Sequence, residues 1–433
     1  MVGHSAVRQK GPAALTDGPR PGATAFSLLC EAQYASASAA GAPPHAKDVG
    51  SAQPCGGGTF AFWGNTPCFA PYLPPMHHAA LFTPVQLGDI SLANRFVMAP
   101  LTRCRADADH NPTAIMAEYY AQRAGAGLII AEATMAIAGN SAFGGREPGV
   151  YSAAQVAAWK TVTTAVHAKG GKIALQLWHG GRACHSLLNN GAQPVGPSPL
   201  RITNDETHTP QGKKPYEVPR ELRDDELAGI VAGFRQAAEN ALAAGFDAVE
   251  VHGANGYLLD QFLRDGSNQR SGPYGGPIEN RARLLLAVVD AVIGIWGAGR
   301  VGVRISPLNS YNDMKDSDPV ALTVYVAREL DRRGIAFLDL MRGDFFGQQK
   351  GDMVPLARAA FRGALLCGMG YTPAEAEATV AAGTAAAIVF GHHFISNPDL
   401  PQRVRAGAAL VEPDSKTLYS PGPHGYTDYP PMT

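Results

Sequence analysis

The most constraining feature of the chain is an alternation of short apolar runs with amphipathic stretches, which begins at Ala79 and repeats about eight times. The apolar runs have the length of buried strands, and the stretches between them have the period of helices that cover a core. The candidate strands are Phe96–Ala99, Gly127–Glu132, Lys172–Trp178, Ala248–His252, Val301–Ile305, Ala336–Met341, Ala364–Cys367 and Ala386–Phe390. Candidate helices between them include Ala153–Ala168, Asp224–Ala244, Ile278–Ile295, Val320–Arg333 and Pro373–Ala382.

Such a rhythm predicts a parallel α/β fold over residues 79–433, and two observations favour a closed (β/α)8 TIM barrel over an open, doubly wound sheet. Eight strand–helix units are the number that closes a TIM barrel. No G-x-G-x-x-G follows a strand and opens a helix, so the dinucleotide signature of an open sheet is absent from the sequence. Gly170-Gly171 and Gly245 follow candidate helices, where glycine commonly ends a helix.

Residues 1–78 differ in composition from the rest of the chain. Ala, Ser, Gly and Pro dominate, apolar periodicity is absent, and only Asp17, Glu31 and Asp48 are acidic before residue 60. This composition predicts a disordered extension and is typical of a transit peptide for a plastid or mitochondrion, although its arginine content is low. A disordered tail or a misassigned start codon are the alternatives, and both would leave the protein in the cytoplasm.

The overall charge and the cysteine pattern limit the classes of partner. A formal net charge of -1 and a pI of about 6.9 give no electrostatic reason to expect binding to nucleic acid or to an anionic membrane. The longest apolar stretch, Leu284–Trp296, is interrupted by Asp290 and is too short to span a bilayer. The 6 cysteines form no C-x-x-C pair, which indicates free thiols rather than a zinc site. The expected partner is a small molecule, and the chain is expected to be a monomer or a homodimer.

Polar and charged residues occur where several candidate strands end. In a barrel these ends meet at one mouth, where active sites form. The residues concerned are Pro100-Leu101-Thr102, Glu132, Gln176, His252, Arg304 and Gly391-His392.

The segment from Val249 to Leu263 begins as a buried strand and then presents three polar side chains. His252 and Asn255 can both donate hydrogen bonds to one carbonyl or nitro oxygen, which would stabilise negative charge that develops there. Tyr257 can supply a proton to a neighbouring carbon. Taken singly, His252 could be a core histidine and Asn255 a turn residue beside Gly256. Together at a barrel mouth they indicate a catalytic group.

This segment resembles the Old Yellow Enzyme family, and other motifs follow in the family's order. They include Asn94–Arg103, Gln176-Leu177-Trp178, Tyr274–Arg283, Gly302–Pro307 and Ile395–Leu400, so the resemblance extends from about Leu81 to Tyr429. It implies a bound FMN that is reduced by NADPH or NADH and then delivers hydride to an activated C=C bond.

The resemblance implies roles for residues around the flavin ring. Thr102 would bond the flavin O4, the backbone of Pro100 and Leu101 would lie against the ring, and Ala133 would allow close approach. Gln176 would bond the O2 and N3 edge, and the charge of Arg304 would meet the N1/O2 region of the reduced flavin. The alternatives are a strand-end cap for Thr102, a small residue packed under a helix for Ala133, a hydrogen bond inside the barrel for Gln176, and a salt bridge to a loop carboxylate for Arg304.

Aromatic residues would form the substrate pocket above the ring. Trp178, Tyr311 and Tyr426 are the positions that the resemblance implies, although each could be an ordinary core or rim residue. After the sixth strand, Phe345 or Phe346 could reach over the pocket.

The expected phosphate end departs from the family's pattern. The loop after the seventh strand has Met369 before Gly370, where a glycine is usual, and the loop after the eighth has His392 after Gly391, where the family has arginine. An imidazole lacks the fixed charge and the two-pronged donor of a guanidinium. We therefore expect weaker and more pH-dependent FMN binding, which a His392→Arg substitution should tighten.

The function expected from these observations is an FMN-dependent ene-reductase that acts on an α,β-unsaturated carbonyl or a nitroalkene, with no metal in the site. Two alternatives are a flavin-barrel dehydrogenase or demethylase and a barrel that has lost flavin and serves as a binding protein. The absence of clustered cysteines argues against the first.

Overall fold

A computed structural model describes residues 78–432 of the 433-residue chain. The predicted extension 1–78 therefore lies almost wholly outside the described residues. A hairpin of β1 (Val85–Leu87) and β2 (Ile90–Leu92) precedes the first barrel strand. The barrel strands are β3 (Phe96–Met98), β4 (Leu128–Met135), β5 (Ile173–Trp178), β10 (Ala248–Gly253), β11 (Val301–Ile305), β12 (Phe337–Met341), β13 (Ala364–Gly368) and β14 (Ala387–Phe390).

These eight strands form a closed parallel barrel, as the sequence predicts. Closure occurs between β14 and β3, where Val389 lies opposite Val97. All eight candidate strands are present, with ends that differ by up to three residues. The largest difference is in β4, which extends to Met135 because the pairing with β5 shifts register between Ala131 and Thr134. This irregularity directs the end of the strand over the barrel mouth.

Between β5 and β10 the chain forms an additional segment with four short strands at the mouth of the barrel. Its strands are β6 (Val195–Gly196), β7 (Glu206–Thr209), β8 (Gly212–Pro215) and β9 (Arg220–Glu221). β7 and β8 pair as an antiparallel hairpin, and β6 pairs with β9. These short strands cannot be recognised in the sequence, because two to four residues carry too little periodicity.

The helices cover the outside of the barrel. They are α1 (Ala114–Gln122), α2 (Ala153–His167), α3 (Asp224–Ala243), α4 (Leu258–Leu263), α5 (Ile278–Arg281), α6 (Arg283–Trp296), α7 (Pro319–Arg333), α8 (Val354–Ala360), α9 (Pro373–Ala381), α10 (His392–Ser396) and α11 (Leu400–Ala406). Four of the five predicted helices are confirmed with ends within one residue, and the fifth is corrected. The single helix expected over Ile278–Ile295 is two helices, interrupted at Ala282, because the Arg281 side chain turns back to the Gly276 carbonyl and to Asp316.

The predicted helix ends have ordinary capping chemistry. Ser152 accepts a hydrogen bond from the backbone N–H of Gln155, whose side chain bonds back to Ser152. Gly170 and Gly245 adopt positive φ angles of 76° and 82° directly after α2 and α3. Only glycine takes this conformation without steric cost, which explains both positions.

The interior of the barrel has an apolar floor and a polar upper layer. Val97, Ala174, Ala248 and Leu366 fill the floor, and the β1–β2 hairpin packs beneath them. Gly302 leaves room there for Phe337, since a Cβ at Gly302 would lie 2.1 Å from the Phe337 ring. The next inward positions are polar, so the strand ends form a polar mouth above a sealed floor. No helix within residues 78–432 has the length and apolar character needed to cross a membrane.

Candidate active site

A cavity of about 330 Å³ opens at the carboxyl ends of the barrel strands. It brings together most of the residues that the sequence singles out. Those that line it are Pro100, Leu101, Thr102, Ala133, Gln176, His252, Asn255, Tyr257, Arg304, Tyr311, Met369, Gly370, Gly391 and His392. These positions come from seven of the eight strand ends and their loops, so the barrel alone accounts for their convergence.

The hydrogen-bond donors His252 and Asn255 lie where β10 ends. The Asn255 backbone has φ 58° and is followed by Gly256 with φ 70°, a left-handed turn that brings the chain back over the mouth. The side chain of Asn309 donates to Oδ1 of Asn255 at 2.8 Å. The amide nitrogen of Asn255 is therefore the end that can donate to a ligand in the cavity.

The electrostatic environment of His252 keeps its imidazole uncharged. Burial, and secondarily the positive charge of Arg304, hold the pKa of His252 well below its usual range. Its Nδ1 has no hydrogen-bond partner within the described part of the chain. A neutral imidazole beside the Asn255 amide forms a pair of donors without a fixed charge, which suits a ligand oxygen that gains charge only during a reaction.

Tyr257 lies in a cluster of aromatic side chains beside this pair. Its ring is 5.3 Å from that of His252 and 5.2 Å from that of Trp178. Burial raises the pKa of Tyr257 well above its usual range, with smaller contributions from Tyr311 and Tyr216. The hydroxyl therefore stays protonated and can act as a proton donor.

Arg304 and Gln176 face the cavity from β11 and β5. The Nε of Arg304 lies 3.5 Å from Oδ2 of Asp339 and makes no hydrogen bond within residues 78–432. The alternative interpretation of Arg304 was a salt bridge to a loop carboxylate. The neighbouring acid, Asp339, lies instead on the adjacent strand β12. The Gln176 amide nitrogen donates to Glu250 at 2.8 Å, so one of its donors is used inside the barrel.

A pair of carboxyl groups beneath these residues was missed in the sequence. Glu250 and Asp339 point into the barrel from β10 and β12, and both are fully buried. Burial raises the pKa of each carboxyl group, and the charge of Asp339 further raises that of Glu250. The signal that could have identified this pair is the single acidic residue at an inward position of each of the apolar strands β10 and β12.

Two of the three predicted pocket aromatics lie elsewhere. Trp178 is fully buried behind Tyr257 and does not line the cavity. Tyr426 is also fully buried and stacks on Tyr119, with ring centroids 4.0 Å apart, while the guanidinium group of Arg105 lies 4.5 Å from its ring centre. This stacking holds Tyr426 in the core, and its side chain is not among those that line the cavity.

Other aromatic residues take those places at the cavity wall. Tyr419, Phe143 and Phe345 line the cavity, whereas Phe346 is partly exposed outside it. The carboxyl-terminal segment that carries Tyr419 and Tyr426 has almost no regular structure. Its sequence therefore held no periodic signal to show which tyrosine faces the site.

The expected phosphate end has an unusual backbone and an unusual set of side chains. Met369 has φ 81° and Gly370 has φ 69°, and Arg342 donates to both of their carbonyl oxygens. Opposite them, Nε2 of His392 contacts the carboxylate of Glu412, which also lines the cavity.

The polar groups at the deep end of the cavity fit the ring system of FMN. The Arg304 Nε and the His252 Nδ1 are buried nitrogens without a hydrogen-bond partner within residues 78–432. Burying such a group destabilises the fold unless a ligand accepts or donates the missing hydrogen bond. Thr102, Gln176 and Arg304 are the side chains that would hold the ring, with the backbone of Pro100 and Leu101 against it. The phosphate would lie toward Gly370 and Gly391, where helix α10 begins.

Comparison with known proteins agrees with this geometry. A sequence profile of the NADH:flavin oxidoreductase / NADH oxidase family matches residues 80–410. The Leishmania infantum protein named "Probable flavin mononucleotide-dependent alkene reductase" is 50% identical over 357 residues, which cover 81% of this chain and 97% of the relative. The rice protein named "12-oxophytodienoate reductase 1" is 41% identical, with 81% and 92% covered.

Solved structures give the same result. Morphinone reductase superposes with a TM-score of 0.79 at 47% identity, covering 81% of this chain and 96% of its own. The Old Yellow Enzyme from Trypanosoma cruzi has a TM-score of 0.79 at 41% identity, with 82% and 100% covered. Another structure of morphinone reductase contains tetrahydroNAD, a nicotinamide analogue. The chain therefore belongs to the NADH:flavin oxidoreductase family of the Old Yellow Enzymes and is an FMN-dependent oxidoreductase that uses a nicotinamide as reductant.

Proposed function

We propose that this enzyme is an ene-reductase that saturates the activated C=C bond of an α,β-unsaturated carbonyl compound or a nitroalkene. The chemistry that FMN supplies when bound is acceptance of hydride from the nicotinamide and its delivery to the β-carbon of the alkene. The names of the L. infantum and rice relatives support an alkene or enone substrate. One pocket serves both half-reactions, so the nicotinamide leaves before the alkene binds.

His252 and Asn255 bind the carbonyl or nitro oxygen. The observation that carries the proposal is that the Asn309 contact orients the Asn255 amide as a donor beside a neutral His252. Two neutral donors on one oxygen stabilise the enolate or nitronate charge that develops as hydride arrives.

Tyr257 completes the reduction by protonating the α-carbon. Its buried hydroxyl retains its proton at neutral pH and lies within the same aromatic cluster as His252. The balance is one hydride on the β-carbon and one proton from Tyr257 on the α-carbon, after which water returns the proton to Tyr257. The flat walls formed by Tyr311 and Phe345 suit a planar conjugated substrate.

The activity is tested by giving the FMN-loaded enzyme NADPH and 2-cyclohexenone without oxygen and following the saturated product. We expect cyclohexanone from cyclohexenone and a nitroalkane from a nitroalkene. Cyclohexanone supplied as substrate has no conjugated C=C bond and should not be consumed. Reduction of the carbonyl group, or loss of NADPH that does not depend on the alkene, would contradict the proposal.

A further inference from the structure

Three potential metal ligands meet at the phosphate end of the cavity. They are His392 and His393 at the start of α10 and Glu412 in the segment that follows α11. One donor atom from each lies within 4.8 Å of the donors of the other two. His392 Nε2 contacts the Glu412 carboxylate, and His393 Nδ1 is buried without a hydrogen-bond partner within the described residues.

The charge balance at this end does not suit the phosphate of FMN. Glu412 lines the cavity with an exposed carboxylate, and Gly391 is followed by two histidines rather than by an arginine. A phosphate group bound here would therefore approach the negative charge of the Glu412 carboxylate, and like charges at short range repel.

The arginines that line the cavity do not relieve this repulsion. Arg304 lies at the ring end, on β11 beside Asp339. Arg103 donates to the Leu418 and Gly425 carbonyl oxygens, and its guanidinium group is buried among Tyr119 and Tyr426. The Arg103 guanidinium is thus engaged with other parts of the fold, and Arg304 faces the ring rather than the phosphate.

We propose that His392, His393 and Glu412 bind one divalent cation of the Zn²⁺ type, and that this cation accepts the FMN phosphate as a further ligand. Two imidazoles and a carboxylate are donors that Zn²⁺ takes in proteins, with a fourth position open to another ligand. Bonds of about 2 Å place tetrahedral ligands roughly 3.3 Å apart, so small side-chain rotations close the present spacing. The cation attracts both the Glu412 carboxylate and the FMN phosphate, which would otherwise repel each other.

The proposal depends on the family's cofactor and not on the alkene substrate. Its test therefore measures metal and FMN binding rather than turnover. FMN is removed from the protein, and metal is removed with a chelator that is then dialysed away. Zn²⁺ binding is measured by titration calorimetry for the parent, Glu412→Gln and His393→Gln. We expect one Zn²⁺ per parent chain and at least about tenfold weaker binding in each variant. The matched control is His424→Gln, which alters a surface histidine paired with Asp428 and should change nothing.

FMN affinity is then measured by quenching of flavin fluorescence, with Zn²⁺ or with chelator. In the parent, Zn²⁺ should tighten FMN binding at least about tenfold, and in Glu412→Gln the two conditions should agree. His392→Arg supplies a fixed charge, so its FMN binding should stay tight in chelator.

Equal parental affinity with and without Zn²⁺ would overturn the proposal. So would FMN binding that tightens on acidification but ignores Zn²⁺, since protonated imidazoles would then hold the phosphate. Glu412 is largely exposed, so its variant should fold, and the thermal midpoint checks this.

Discussion

At the residue scale, the site consists of polar groups whose chemistry is set by their neighbours. His252 is neutral because it is buried near Arg304, and the amide of Asn255 is oriented by Asn309. The sequence predicted His252, Asn255 and Tyr257 as a group, because three polar side chains directly after an apolar strand are unusual. It could not predict Asn309, which lies in a loop 54 residues away and has no pattern of its own.

Asn309 offers a test of this orientation. Asn309→Asp keeps the side-chain oxygen that accepts a hydrogen bond from the Phe345 N–H. It replaces the NH2 group that donates to Asn255 with a second oxygen, which can only accept. The Asn255 amide should then rotate and cease to donate to substrate. Losing one hydrogen bond of about 1 kcal/mol should lower kcat/KM for an enone about five- to tenfold. The rate of flavin reduction should change less, and an unchanged kcat/KM would show that Asn309 does not position Asn255.

Glu132 gives a prediction about pH. Burial raises the pKa of this carboxyl group to about 7, while hydrogen bonds from Tyr120 and the Arg103 backbone oppose the change. The folded protein thus binds the proton more tightly than the unfolded chain does, and the resulting stability is full below about pH 4.5 and is lost as the pH rises through 7.

Glu132→Gln has no proton to lose, so its free energy of unfolding should exceed that of the parent at pH 8 by on the order of 3 kcal/mol, with little difference at pH 4.5. Chemical unfolding at the two pH values measures this. Glu118→Gln, at an exposed position of α1, is the matched control. A difference between Glu132→Gln and the parent that stays constant with pH would contradict the assignment.

At the scale of elements, the predictable features were those with repeated signals. All eight barrel strands were predicted because apolar runs of four to seven residues stand out against amphipathic helices. The hairpin β7–β8 and the short helix α10 were not, since so few residues show no period. The division at Ala282 depends on contacts of Arg281 with residues far along the chain, which no local pattern contains.

Gly302 in β11 tests how tightly the barrel interior is packed. Gly302→Ala places a Cβ against the Phe337 ring in the sealed floor, and overpacking should lower the free energy of unfolding by about 1 to 3 kcal/mol or more. The same change at Gly229, in α3, meets no atom within 4 Å and should instead stabilise the fold by about 0.5 to 1 kcal/mol. Thermal and urea unfolding compare the two. Equal effects would mean that the Gly302 position is not constrained by Phe337.

At the scale of the whole molecule, the barrel gathers residues from Pro100 to Tyr419 around one cavity. The topology therefore explains why the residues that the sequence singles out at the strand ends meet at the cavity. The rim could not be predicted in the same way, because Tyr419 and Glu412 lie on a segment with little regular structure. The burial of Tyr426 and the approach of Glu412 to His392 could not be predicted for the same reason.

The central claim is that one pocket carries out two half-reactions and that Tyr257 serves only the second. Stopped-flow absorbance of the bound flavin follows each half-reaction separately in Tyr257→Phe and in Tyr325→Phe, the latter on α7 and outside the cavity. We expect Tyr257→Phe to keep the parental rate of flavin reduction by NADPH and to lose about a hundredfold or more in reoxidation by cyclohexenone, while Tyr325→Phe keeps both rates. Equal loss in both half-reactions of Tyr257→Phe, or no loss in the second, would contradict the account.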